Sequence, residues 1–309
     1  MSRKQLLRLV IVLVVVLIAW GVSAAVRHAR TDQVDGLALP AIDTAAVDTM
    51  AFMGRTDTTV VARSPDGRWS VNGHPASAST VTSALQALVD TSTWSELAAR
   101  SSSAHTAMGV TADSGTLVHV GVRNGAGFTL LAGHHTSTFG GVFVRRPADS
   151  AVYALHGPLT QVFDRTAEAW RDRTIASVIP DSVARIEIRR GKASYALVRS
   201  GRKWLTPSGA AADSNAVRDF LTRFSPLEAI GFATAAQADS LDFRRPFAEV
   251  RLFTGSGGKP SVLLRVDSVA SGVWLRPDSS STIYGIESWN LAGVVPTAKS
   301  LLHEPPKAR

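Results

Sequence analysis

Two adjacent histidines, His134 and His135, are the most obvious candidates for metal binding or proton transfer in this sequence. They lie in the segment GHHTSTFGG, between two stretches with the alternation of strands. Adjacent side chains of an extended chain point to opposite faces, so this pair does not easily chelate one ion. The chain also has no cysteine to supply a thiolate ligand. The pattern favours a polar hairpin loop, and we predict no metal site.

The segment GSGGKP at 255–260 superficially resembles a phosphate-binding loop. Such a loop needs its lysine to be followed by Ser or Thr and then by a helix, whose N-terminus faces the phosphate. Here Lys259 is followed by Pro260 and a strand-like stretch. Ser256–Lys259 and Ser200–Lys203 both satisfy Ser-x-x-Lys, but in predicted turns, where no helical turn brings the amine to the hydroxyl. We therefore predict no catalytic residue and no cofactor.

A binding surface is the remaining kind of site that the residue types suggest. Arginines on or beside predicted strands could meet an anionic glycan or lipid headgroup, and an exposed tryptophan could stack on a sugar ring. The candidate surface consists of Arg145, Arg146, Arg244, Arg245, Arg276 and Trp94. The simpler interpretations are a solvated face for the arginines and core packing for most tryptophans.

Composition excludes two classes of protein. The 309 residues are 45% hydrophobic, which argues against a disordered chain and allows one large or two ordinary domains. The formal net charge is +8, but five basic residues without an acidic one fall within residues 1–30. The remainder is only mildly basic, without the dense positive stripe that nucleic acid requires. We predict no nucleic-acid partner.

The N-terminal segment has the length and composition of a membrane span. Leu9–Val26 contains no charged residue, and Leu6 and Leu7 extend it to about 20 residues, enough to cross the hydrocarbon core as a helix. More basic residues precede the segment than follow it, which places the N-terminus in the cytoplasm and the bulk outside. We expect a single-pass protein of the inner membrane, with a cytoplasmic tail at 1–5 and a transmembrane helix at 6–26. A cleaved signal peptide is the alternative.

The rest of the chain contains two copies of one sequence pattern. A strand-like stretch ends at DGRW (66–69) in the first copy and at GRKW (201–204) in the second. Apolar stripes with helical spacing follow, from Val81 and from Val217, each preceded by residues that cap helices. These are Ser77 and Ser79 in the first copy and Asp213 and Ser214 in the second. Downstream, GVFVRR (141–146) parallels GVWLRP (272–277), and SAVYAL (150–155) parallels STIYGI (281–286).

This duplication predicts the fold class and the domains. We expect an α+β protein: an N-terminal transmembrane helix followed by two tandem repeats, each a mostly antiparallel sheet with a packed helix. The predicted segments are a linker at 27–46, repeat unit 1 at 47–173, repeat unit 2 at 174–302 and a disordered tail at 303–309. A helix over residues 158–173 closes the first unit, because its apolar residues share one helical face.

The N-terminal span, the Trp after each hairpin, the paired Gly-Val-Phe-Val-Arg and Val-Tyr strands and the segment WRDR (170–173) resemble a bacterial family catalogued as domain of unknown function 4340. The resemblance covers nearly all of residues 36–302. It implies an extracytoplasmic accessory role beside ABC-type transporters of the gliding-motility or polysaccharide-associated kind. It carries over no catalytic residue.

Three functions are consistent with these patterns. The first is a non-enzymatic, membrane-anchored binding protein that acts as the partner of permease or ATPase subunits of an ABC-type transport system. The second is a cell-wall or polysaccharide binding module that uses exposed Trp and Arg side chains. The third is a hydrolase whose active-site residues come together only in three dimensions, as catalytic triads do.

Overall fold

The computed structural model describes residues 36–137, 140–255 and 257–302. The predicted cytoplasmic tail, transmembrane helix and C-terminal tail lie outside these residues. The chain divides into a first unit that ends at Asp172 and a second that begins at Arg173. Within the described residues, no helix combines the length and hydropathy that crossing a membrane would require.

Unit 1 is built around a nine-stranded antiparallel sheet. Its strands are β1 (Val47–Met53), β2 (Thr58–Arg63), β3 (Trp69–Val71), β4 (His74–Pro75), β5 (Trp94–Ala99), β6 (Thr116–Val122), β7 (Phe128–His135), β8 (Gly141–Arg145) and β9 (Val152–His156). They lie in the order β4-β3-β2-β1-β6-β7-β8-β9-β5. The helices of this unit are α1 (Ala78–Leu88), α2 (Thr160–Phe163) and α3 (Ala167–Trp170), with a 3-10 turn at Ser102–Ala104.

Unit 2 contains an eight-stranded antiparallel sheet and a two-stranded one. Its strands are β10 (Thr174–Ala176), β11 (Val183–Arg190), β12 (Ala193–Ser200), β13 (Lys203–Leu205), β14 (Leu227–Glu228), β15 (Gly231–Phe232), β16 (Ala248–Thr254), β17 (Val262–Val269), β18 (Gly272–Pro277) and β19 (Tyr284–Ile286). The large sheet has the order β13-β12-β11-β16-β17-β18-β19-β15, and β10 pairs with β14. The helices are α4 (Ser214–Thr222), α5 (Ala235–Asp239), α6 (Leu291–Val294) and α7 (Ala298–Leu301), with 3-10 turns at Pro180–Ser182 and Ser288–Asn290.

The two large sheets share one strand order. If β4 is set aside, each strand of unit 1 has a counterpart in unit 2, from β3 and β13 at one edge to β5 and β15 at the other. The registers also agree. The pairing of β1 with β6 has a register shift between Val47 and Thr49, and the pairing of β11 with β16 has one at the equivalent place, between Val183 and Arg185. Residues of the two units can therefore be compared position by position.

One face of each sheet packs on a helix, and the spacing of apolar residues explains why. Along β11, Ile186 and Ile188 point into the core, while the residues between them point to the opposite face. Helix α4 buries Val217, Phe220 and Leu221 against this core. In unit 1, helix α1 buries Val81, Ala84 and Ala87 in the same way. Each core is formed by residues of its own unit.

The predicted α+β class is wrong, because the described residues are mostly β: 39% strand and 19% helix, in three antiparallel sheets. The N-terminal transmembrane helix that belonged to that prediction falls on residues 6–26, outside the described part of the chain. Most helices have only four or five residues. The helix predicted over 158–173 is broken into α2 and α3, because Thr166 adopts an extended conformation and caps α3 through a bond from Ala169 N. Its apolar residues reach the core through two short turns instead of one long helix.

The described part of the predicted linker, residues 36–46, packs on unit 1. Leu37 is buried in the core of that unit, and Leu39 and Ile42 pack against it. The Leu37 amide donates to Ser95 Oγ at 2.7 Å, and Arg146 bonds to the Ala38 carbonyl. Apolar burial and hydrogen bonding hold this stretch against the sheet.

Candidate binding surface of the second unit

The outer face of the large sheet of unit 2 carries charged side chains on neighbouring strands. On β11 the outward positions are Arg185, Glu187 and Arg189, and on β16 they include Glu249 and Arg251. The face continues on β17 with Arg265, which pairs with Glu249. We call these six residues the charged face. They alternate in sign both along and across the strands, as cross-strand ion pairs do.

Glu249 is the centre of the charged face. Its side chain is only 11% exposed, and three guanidinium groups approach its carboxylate. Arg189 Nη2 and Arg265 Nε each lie 3.9 Å from Oε2, and Arg251 Nη2 contacts Oε1 directly. A carboxylate this buried requires such partners, because an unpaired buried charge is strongly unfavourable.

The other contacts of the charged face order its arginines further. Arg251 Nη1 lies 3.6 Å from Glu187 Oε2, and Arg185 Nε lies 3.4 Å from Glu187 Oε1. The Arg185 guanidinium also stacks on the Phe253 ring at 3.8 Å. Arg265 Nη1 also lies 2.8 Å from Asp278 Oδ1. Four arginines thus share three carboxylates, those of Glu187, Glu249 and Asp278, which leaves a smaller excess of positive charge. Flat, partly paired guanidinium groups of this kind are suited to bind a partner's carboxylates.

The equivalent positions of unit 1 carry no carboxylate, ammonium or guanidinium group. The shared register matches the charged face, in chain order, with Thr49, Ala51, Met53, Leu117, His119 and Leu131. Unit 1 forms the same sheet with these residues. The strand order therefore does not require the charges, which points to a role other than folding.

A groove borders the charged face at its β12 side. Its volume is about 600 Å³, and it is lined by Glu187, Arg189, Glu249 and Arg251, by Ser194 to Ala196 on β12 and by the turn at 206–208. The groove thus combines charged side chains with the hydroxyl groups of Ser194, Thr206 and Ser208. We call it the edge groove.

Tyr195 anchors the strand beneath the edge groove. Its hydroxyl donates to the Pro296 carbonyl at 2.7 Å. Burial raises the pKa of Tyr195 well above its ordinary value, and the nearby Arg190 opposes this shift only in part. The phenol therefore stays neutral and able to donate at every physiological pH.

Two arginines predicted as binding residues hold loops against their sheets. Arg145 Nε donates to the Val110 carbonyl at 2.7 Å, and Arg145 Nη1 donates to the Pro147 carbonyl at 2.7 Å. Arg276, at the equivalent position of unit 2, stacks on Phe243 at 4.6 Å. In both units this arginine contacts the segment that crosses the outer face, where Val110 and Phe243 are buried.

The other predicted arginines fall into different surroundings. Arg146 reaches back to the Ala38 carbonyl in unit 1. Arg244 and Arg245 are exposed in the turn that follows Phe243 in unit 2, close in sequence to the ring on which Arg276 stacks. The structure thus brings Arg276 near the turn that carries Arg244 and Arg245. Arg145 and Arg146 belong to the other unit.

Trp94 lies on the edge strand β5 of unit 1 and is 54% exposed. Its indole stacks on the imidazole of His156, with the ring centroids 4.3 Å apart and the planes at 14°. His156 is itself buried, and no protein atom within the described residues hydrogen-bonds its Nε2. One face of the indole is therefore covered by His156, while much of the ring stays accessible.

The histidine pair forms no joint site. His134 Nδ1 lies 3.3 Å from the Ala107 carbonyl, whereas His135 Nε2 lies 3.3 Å from Asp164 Oδ2. Both histidines belong to the end of β7 and not to a loop. Throughout the described ranges, no group of three or more His, Asp or Glu side chains is arranged to hold a metal ion. The glycine-rich segment 255–260 connects β16 to β17, and its Ser256 lies outside the described residues.

The charged face was missed by the sequence analysis, although the sequence contains its signal. Charged residues recur with period two in RIEIR (185–189) and in EVR (249–251), and the residues between them are apolar. Such alternation predicts a strand with one charged face and one buried face. That the two segments are neighbouring strands required the strand order, because about 60 residues separate them.

Comparison with known proteins identifies a family and no closer relative. The family model described as "Domain of unknown function (DUF4340)" matches residues 69–246, more than half of the chain. No curated protein matches the chain, and neither does any solved structure. The match includes α1 and α4 and three of the six residues of the charged face, Arg185, Glu187 and Arg189.

Proposed function

The chain belongs to the DUF4340 family, and from this premise we propose that it is a non-enzymatic accessory protein whose charged face binds a subunit of an ABC-type transport system. The observation that carries the proposal is the difference between the two units. One sheet of a duplicated pair has four arginines and two glutamates at positions where its counterpart has no carboxylate, ammonium or guanidinium group. The family resemblance supports the choice of a transporter subunit as partner.

A protein partner suits the form of this surface. The charged face extends over three adjacent strands, β11, β16 and β17. Charged groups that are ordered by neighbouring pairs provide electrostatic complementarity without much loss of side-chain entropy on binding. The excess of arginine favours an acidic patch on the partner.

Site-specific photocrosslinking in the native cells tests this proposal. We expect a photoreactive amino acid at Arg189, on the charged face, to crosslink to a permease or ATPase subunit that mass spectrometry identifies. The matched control is the same replacement at Arg218, an exposed arginine of α4, which packs on the other face of the sheet. Equal crosslinking from both positions, or none from Arg189, would contradict the proposal.

A saccharide-binding role is the second candidate, because Trp94 exposes an aromatic ring backed by His156. Aromatic platforms of this kind stack on sugar rings. We expect Trp94→Ala to abolish binding on a glycan array if this role is correct, whereas Trp289→Ala, at another exposed tryptophan, leaves it unchanged. Nothing among the described residues favours the hydrolase alternative. The cellular side on which the units lie stays a prediction, which protease accessibility in spheroplasts tests.

A further inference from the structure

The strand beside the edge groove is paired along only part of its length. On one side, β11 pairs with β12 from Ala193 to Val198. On the other side, β13 pairs only with the end of β12, from Val198 to Ser200. The stretch from Ser194 to Ala196 therefore lies at the edge groove, where a further strand would pair with it. An unpaired strand edge is a template for another chain.

Unit 1 shows what happens at the same edge when it is closed. The register makes Thr58 and Val60 the counterparts of Ser194 and Ala196. Asn72 occupies this edge with three hydrogen bonds. Its backbone N–H donates to Val60 O at 2.9 Å, its side-chain Oδ1 accepts from Val60 N at 2.8 Å, and its side-chain Nδ2 donates to Thr58 O at 2.8 Å. One asparagine thus satisfies the outward backbone groups of that strand.

The equivalent turn of unit 2 makes hydrogen bonds within the turn instead. Thr206 N donates to the Ala210 carbonyl at 2.8 Å, and Ala210 N donates to Thr206 Oγ1 at 3.0 Å. Ser194 and Ala196 line the edge groove. Because alternate residues of an antiparallel strand direct their N–H and C=O groups to the same side, the equivalence with Val60 points those of Ala196 into the groove.

We propose that the partner docks by adding an extended, acidic peptide segment to this edge of β12 as a further strand of the sheet. The Ala196 amide and carbonyl and the Ser194 carbonyl would bond to its backbone, as in other strand-addition complexes. Its side chains on the outer side would lie next to the charged face, where Arg189 and Arg251 are nearly half exposed and would donate hydrogen bonds to a carboxylate. This inference rests on the proposed function, since it requires a protein partner.

Amide hydrogen exchange of the full chain, measured by NMR with and without a synthetic peptide, tests the proposal. The probe is acetyl-TVEVEVT-amide, and its control is the same peptide with N-methylated backbone amides. In the free protein we expect the Ala196 amide to exchange faster than that of Leu197. The probe should slow exchange at Ala196 at least tenfold, and the N-methylated control should not. Protection of Ala196 in the free protein, or equal effects of both peptides, would overturn strand addition.

Two variants separate the backbone contribution from the charge contribution. Arg189→Met introduces the residue that unit 1 has at this position, and we expect the acidic probe to bind about two- to fivefold more weakly to it. Arg218→Met is the matched control and should bind as the wild type does. Ala196→Pro removes one N–H that makes no bond in the free sheet, so the variant should fold but bind the probe more weakly. Unchanged probe affinity in both groove variants would overturn the proposal.

Failure of this inference differs from failure of the proposed function. If the peptide does not bind but the photoreactive amino acid at position 189 still crosslinks to a transporter subunit, strand addition is wrong and the charged face remains the docking surface. If an oligogalacturonate probe protects Ala196 while the peptide does not, the groove binds a saccharide, and the peptide proposal is overturned.

Discussion

Glu249 determines how the charged face is ordered at the level of single residues. Its carboxylate lies among Arg189, Arg251 and Arg265. We expect Glu249→Leu to lower the free energy of unfolding by about 1–3 kcal/mol, because three guanidinium groups would lose their common partner. Denaturant unfolding of the full chain measures this. Adding Arg251→His and Arg265→Leu, which gives β16 and β17 the unit 1 residues at their positions of the charged face, should recover most of the loss. A triple variant less stable than the single one would show that the arginines support folding by themselves.

Tyr195 gives a prediction about pH. Burial raises its pKa in the folded state, whereas in the unfolded chain it ionises near the ordinary value of about 10. The unfolded state therefore loses this proton first as the pH rises. The contribution of Tyr195 to the free energy of unfolding is therefore fully present below pH 10 and declines above it.

We expect Tyr195→Phe to remove this alkaline decline. It should also cost about 0.5–1.5 kcal/mol at neutral pH, because the Pro296 carbonyl loses its donor. Unfolding curves between pH 8 and pH 11 make the comparison. An identical alkaline slope in the wild type and the variant would show that Tyr195 is not its source.

The helix caps allow a prediction at the level of elements. Asp213 accepts hydrogen bonds from Asn215 N at 2.8 Å and from Ala216 N at 3.1 Å at the start of α4. We expect Asp213→Ala to lower the free energy of unfolding by about 1 kcal/mol, because the two amides lose their acceptor. Ser214→Ala, one residue later, should change it by less than about 0.5 kcal/mol. Equal effects of both substitutions would exclude Asp213 as the cap.

How far the elements could be predicted depends on how local their signals are. The stripes at Val81 and Val217 and the caps Ser77 and Asp213 are local, and the structure has helices there. The helix predicted over 158–173 was wrong, because its apolar spacing does not show that Thr166 starts a new turn. The edge of β12 was not predictable, since it depends on where β13 stops pairing.

At the scale of the whole molecule, the two units act as an internal comparison. They share a strand order, and each forms a core from its own residues. They differ in the charged face and in the residue that closes the strand edge, Asn72 in unit 1. The repeated sequence pattern could be found without coordinates, whereas the divergence became visible only when the strand register aligned individual positions.

Replacing the charged face as a whole tests the central claim most directly. The variant carries the unit 1 residues at all six positions: Arg185→Thr, Glu187→Ala, Arg189→Met, Glu249→Leu, Arg251→His and Arg265→Leu. The crosslinker is placed at Ser194 in the edge groove, in this variant and in the otherwise unchanged protein. We expect the variant to fold cooperatively and to lose the crosslink to the transporter subunit. A variant that fails to fold, or one that crosslinks as well as the unchanged protein, would contradict the account.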